Sequence, residues 1–152
     1  MNKDGLLMNL NALTDNEVKA LINELKNCQK ALPNDTPLIG RIKDDTPTVD
    51  FTNHIEYYLH RYRNPIDPQR FSLHIRFKAT EDHLIRFDIN NGTHKNPDMS
   101  IVQQNHMHVY HSNGDLAKDA IAISLPADID INSIFTALES FLEYTNTKEY
   151  KS

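Results

Sequence analysis

Between residues 71 and 110 the chain alternates apolar and polar side chains in three separate segments, FSLHIRF, IRFDI and HMHVY, and a two-residue period fits an extended strand rather than a helix. Each strand so formed has two unlike sides. Phe71, Leu73, Ile75 and Phe77, then Ile85, Phe87 and Ile89, then Met107 and Val109 make an apolar face that must be buried. The other face carries His74, Arg76, Arg86, Asp88, His106, His108 and Tyr110. That is an unusual concentration of titratable and phosphate-matching groups for the solvent side of a small sheet, and a site is expected there.

The flanking sequence supplies cover for the apolar face. Thr14 and Glu17 match a capping box, and Val18, Leu21, Ile22, Leu25, Cys28 and Leu32 follow at helical spacing, which predicts a helix from residue 14 to the Pro33-Asn34-Asp35 stop. Cys28, on that stripe, reads as a buried small hydrophobe. Residues 33–48 hold three prolines and read as a connection with a short strand at 38–42. Residues 55–60 alternate again, which favours a strand, with a short helix as the alternative. Turns are predicted at 80–82, at Asn91-Gly92, at Asn96-Pro97-Asp98 and at Asn113-Gly114-Asp115. The run AIAISLP at 120–126 predicts a strand interior to the sheet. Ile131, Ile134, Phe135, Leu138, Phe141 and Leu142 define a last helix, with Asp130 or Asn132 as its N-cap. The fold class predicted is α+β: one two-layer domain over residues 1–152, with a mostly antiparallel sheet of four to six strands. Its N-terminal and C-terminal helices pack on one sheet face and leave the other open.

Composition narrows the setting. No apolar run approaches the length needed to cross a bilayer, and the first residues lack a signal-peptide pattern. One cysteine excludes an internal disulfide and a thiolate metal cluster. A cytoplasmic location without a membrane partner is the expectation. The net charge of −5 disfavours bulk electrostatic coating of nucleic acid. The charge is uneven, however. Residues 56–95 carry seven Lys or Arg against five Asp or Glu, so this segment is at +2 while the remainder is at −7.

Three chemistries fit the polar face. His106 and His108, two apart on a strand, point the same way and could share a transition metal if His74, Asp88 or His94 added a third ligand. Alternatively, RNA could be cleaved without metal. His106 and His108 would then be general acid and base, with His74 as a substitute and Asp88 orienting one of them. Arg76 and Arg86 would hold phosphate oxygens, and Tyr58, Tyr62 or Tyr110 would stack on bases. Third, the face could bind a partner without catalysis, and in its plainest form it is a set of cross-strand ion pairs among ordinary sheet residues.

The strings RFDIN (86–90), HKNPD (94–98) and NHMHVY (105–110) resemble a group of small uncharacterised proteins of prophages and other mobile elements in Gram-positive bacteria. The resemblance covers residues 71–110 and implies no activity. Met99 stands where that pattern has glycine after NPD. The layout of helices, sheet and His-bearing face is also similar to that of small ribonuclease toxins, which tend to be basic where this chain is acidic. The reading that follows is a mobile-element protein that binds RNA or DNA on its His/Arg face, with metal-independent cleavage as an extension and no cofactor. The alternative is a non-enzymatic accessory or inhibitor factor that binds a protein.

Overall fold

The structure, a computed structural model, describes residues 8–33, 37–112, 114 and 116–151. Helix α1 (Asp15–Asn23) leads into β1 (Lys26–Cys28), β2 (Ile42–Asp50), β3 (Ile55–Arg63), β4 (Phe71–Phe77) and β5 (His83–Ile89). A small hairpin of β6 (His94–Lys95) and β7 (Ile101–Val102) precedes β8 (His106–Val109) and β9 (Ala122–Ser124). Helix α2 (Ile134–Tyr144) and β10 (Thr147–Lys148) complete the described elements. The fold is α+β, and its main sheet has eight strands in the order β10-β1-β2-β3-β4-β5-β8-β9. All neighbours are antiparallel except β1 and β10, which run parallel.

The strand count exceeds the four to six expected, because residues 26–28, inside the predicted helix, and residues 147–148, for which no element is predicted, are strands. The helical stripe stops early: Val18, Leu21 and Ile22 are buried on α1, but Glu24 is already extended and Leu25 points to solvent. Residues 26–28 instead pair with β2 and β10, and Cys28 is buried from a strand. Buried Lys26 fixes this junction, its Nζ donating to the carbonyls of Ile22, Glu24 and Thr145 at 2.8, 2.9 and 2.8 Å. The short strand expected at 38–42 lies instead at Ile42–Asp50, the long strand β2, which takes in Pro47 of the proline-bearing stretch. Backbone N and C=O of one residue point to the same side of a strand, and the Pro47 carbonyl accepts from Gln29 at the end of β1. The missing N–H therefore falls where β1 runs out, not on the β3 ladder.

Two further expectations change. β9 lies at the edge of the sheet, not its interior, and Ile123 remains 47% exposed. Helix α2 is capped by Ser133, in a box with Thr136, rather than by Asp130 or Asn132. The stop at Asn34-Asp35 and two residues of the Asn113-Gly114-Asp115 turn lie outside the described residues.

The apolar face behaves as its pattern requires. Leu59, Ile75, Ile85 and Val109 form one cross-strand row, and Phe87 meets α2 through Phe141, edge to face at 4.8 Å. α1 lies beside it, forming with Met107, Val109 and Tyr144 an apolar groove of about 540 Å³. A register shift after Ile75 buries both Leu84 and Ile85. Opposite it, Tyr110 leaves the predicted polar face: its ring is edge-on to Phe77 in the core, and its hydroxyl donates to the Leu10 carbonyl at 2.7 Å. No helix among the described residues is long and apolar enough to cross a membrane.

Replacing Lys26 with Met keeps the volume but leaves three carbonyls, two of them buried, without their donor. Urea denaturation should register a loss of about 2–4 kcal/mol; a loss within about 0.5 kcal/mol would mean the ammonium does not organise the junction.

Candidate metal centre

The same register that buries the apolar rows aligns a polar one. Asp45, His60, His74, Arg86, His108 and Ala122 are consecutive cross-strand partners, and Asp88 sits opposite His106. The face is not open along its whole width. The β6–β7 hairpin folds back over the β8–β9 end, where Asn96 uses its side-chain amide as a strand would, donating to Ala122 O at 2.9 Å and accepting from Ala122 N at 2.8 Å. His106 and His108 are consequently only 3% and 2% exposed. Met99, in the hairpin turn, takes φ 76°, the left-handed conformation that glycine favours.

The hairpin brings His94 to the pair. One ring nitrogen from each of His94, His106 and His108 lies within 4.8 Å of the others. Each ring is oriented by its second nitrogen, which lies on a backbone carbonyl: His94 Nε2 on Ala120 O at 2.8 Å, His106 Nδ1 on Gln103 O at 2.9 Å and His108 Nδ1 on Asp119 O at 2.7 Å. A carbonyl only accepts, so these nitrogens carry the hydrogens. In a neutral ring the other nitrogen then holds a lone pair, leaving Nδ1 of His94 and Nε2 of His106 and His108 as donors to a metal. Carbonyl-held imidazoles of this kind are the usual outer support of metal-ligating histidines. His108 Nε2 is buried and has no hydrogen-bond partner.

Asp88 flanks two of these rings, with Oδ2 at 3.4 Å from His106 Nε2 and 3.3 Å from His108 Nε2. Burial opposes its charge, but His108 and the Arg86 guanidinium outweigh that and hold its carboxyl below the ordinary range. Arg86 in turn lies 3.1 Å from Asp88 and 3.0 Å from Asp119. Of the three residues considered as a third ligand, His94 and Asp88 reach the pair, whereas Arg86 separates His74 from His108 in the cross-strand row.

His74 belongs to a second cluster. Its ring is stacked between His60 and His83, at 4.5 and 4.1 Å, with Asp45 against His60 and Asp119 against His83 at the outer ends. Burial, then the neighbouring rings and the guanidinium groups of Arg76 and Arg86, push the His74 imidazole down to about 2. Such a ring does not exchange protons near neutrality. Arg76 is paired with Asp45 at 2.7 Å and Glu81 at 2.9 Å and lies 4.8 Å over the Tyr58 ring. Asp45, held by Arg76 first and His60 second against its partial burial, has its carboxyl lowered to about 2.

Residues 13–147 match the model of a family of unknown function, DUF6978. The chain belongs to that family. No curated protein and no solved structure matches it. The DUF6978 match spans the helices, the sheet and the hairpin, well beyond the segment 71–110 on which the sequence resemblance rests. In this DUF6978 member the strand periodicity already shows which face His60 occupies. Asp119 carries no such signal, because it reaches His83, Arg86 and His108 from a connection rather than a strand.

The histidine stack has a pH signature. The folded state keeps His74 neutral while the unfolded chain takes up a proton near pH 6.5, so stability is full above that value and falls as the pH drops below it. The expected slope from this group is up to about 1.4 kcal/mol per pH unit. His74→Phe retains the stacking and should flatten the profile between pH 7 and 5 in urea titrations; unchanged slopes would assign the dependence to other groups.

Proposed function

We propose that this protein is a metal-binding protein. One divalent transition-metal ion of zinc type is held by His94 Nδ1, His106 Nε2 and His108 Nε2, and it fastens the β6–β7 hairpin onto the sheet. The observation that carries this reading is the buried Nε2 of His108, without a hydrogen-bond partner and within 4.8 Å of ring nitrogens of two further imidazoles whose other nitrogens lie on carbonyls. A buried polar atom of that kind is costly unless something occupies the space in front of it. Nitrogen-only neutral donors suit zinc and its neighbours, not calcium or magnesium. So fastened, the sheet presents the half-exposed part of its polar face, around Tyr58, His60, Tyr62 and Arg76, to a partner. In the mobile-element setting that the sequence resemblance implies, that partner is a host or phage macromolecule.

A second reading takes the polar face as a surface for RNA or DNA, with cleavage by His106 and His108 as its extension. Arg76 over the Tyr58 ring favours it, since a cation beside an aromatic plane suits a nucleotide. The charge balance favours it less: Arg76 and Arg86 are each held by two carboxylates that a phosphate would have to displace. Cleavage that survives chelation and is lost in His108→Ala would support this reading over the metal.

For the metal reading, elemental analysis of the dialysed full chain should give about one equivalent of zinc, and His108→Ala should lose it. Chelation should lower the thermal midpoint of the wild type while leaving that of the mutant unchanged. Wild-type protein without bound metal, and without a thermal shift on added zinc, would end this proposal.

A further inference from the structure

We infer that Asp88 is the fourth ligand of this ion, so that the site closes with four protein donors and keeps no position for water or substrate. The inference rests on the metal reading above and goes further, because it decides what the metal can do. A zinc ion with nitrogen and oxygen donors at about 2.0–2.1 Å places neighbouring tetrahedral ligand atoms about 3.3 Å apart. Asp88 Oδ2 stands 3.3 Å from His108 Nε2 and 3.4 Å from His106 Nε2. Both distances suit a shared ion, and the three imidazole nitrogens, within 4.8 Å of one another, would draw in around it.

With Nδ1 of both histidines on carbonyls, both Nε2 atoms face the same carboxylate oxygen. A cation between them attracts all three. A proton on His108 Nε2 is the competing way to join it to Asp88 at 3.3 Å, and an ion that binds there must displace it.

The surroundings orient the carboxylate as a ligand would need. Asp88 is paired directly across the ladder with His106, and Arg86 lies against both of its oxygens, at 3.1 Å from Oδ1 and 3.2 Å from Oδ2. Asp119 holds Arg86 with its carboxylate and His108 with its backbone carbonyl, which ties the outer support of two ligands to one residue. With His106 and His108 buried and the Asp88 side chain only 13% exposed, the ion would join β5, β8 and the hairpin and be shielded from solvent. Four protein ligands in a buried setting are the pattern of a structural site, whereas a catalytic site keeps an open position.

Cobalt(II) substituted into the full chain tests the geometry. The wild type should show the intense visible bands of four-coordinate cobalt, and these should not move when azide is added. Asp88→Ala should bind cobalt more weakly, by more than the roughly 10–100-fold that losing an outer-shell partner costs, and its bands should shift with azide as the vacated position is filled. Wild-type bands that shift with azide would reveal an open position and overturn the inference while leaving the metal reading intact, and so would an Asp88→Ala protein that binds as the wild type does. A wild type that develops no bands would overturn both. If Asp88→Ala does not fold, the wild-type azide titration decides alone.

Discussion

The antiparallel ladder from β2 to β8 is the constraint on which the rest of the molecule depends. Because β3, β4, β5 and β8 pair in register, Leu59, Ile75, Ile85 and Val109 form one row while His60, His74, Arg86 and His108 form the row beside it on the opposite face. A slip of one residue in any strand would send apolar side chains outward and charges into the core. The two helices act on this sheet rather than independently of it. Phe141 of α2 meets Phe87, and Val18 and Ile22 of α1 line one groove with Met107 and Val109.

The polar face creates a second requirement. Imidazole, guanidinium and carboxylate groups are tolerated under a hairpin only if their hydrogens and lone pairs are met. The covering segments meet them through backbone: the carbonyls of Gln103, Asp119 and Ala120 take the hydrogens of three histidines, and Asn96 pairs with both backbone groups of Ala122. Those bonds leave one ring nitrogen of each of His94, His106 and His108 within 4.8 Å of the others, with the Asp88 carboxylate beside two of them. The metal proposal starts from that arrangement.

Beside this centre, the polar face does something different. The stack of His60, His74 and His83 has a carboxylate at each outer ring, and Arg76 and Arg86 are paired with acids. Its guanidinium groups are each paired with acids, and its central imidazole is held unprotonated. The face therefore divides into a buried, donor-rich end and a half-exposed middle of paired charges. The proposed metal belongs to the first and any partner to the second.

The alternation in residues 71–110 alone determined the two faces of β4, β5 and β8, because the period of side-chain direction in a strand is fixed by backbone geometry. The α+β class, the N-terminal capping box and the position of the last helix were legible for the same kind of local reason. Tertiary structure decided the rest. Residues 24–32 carry a helical stripe, yet residues 26–28 form a strand because the free edge of β2 and the three carbonyls around Lys26 offer more than another helical turn. Tyr110 crosses to the core because a bulge at Leu84, invisible in sequence, lies opposite it. His94 meets His106 and His108 only because the hairpin folds back, a long-range event governed by backbone carbonyls that no residue pattern records.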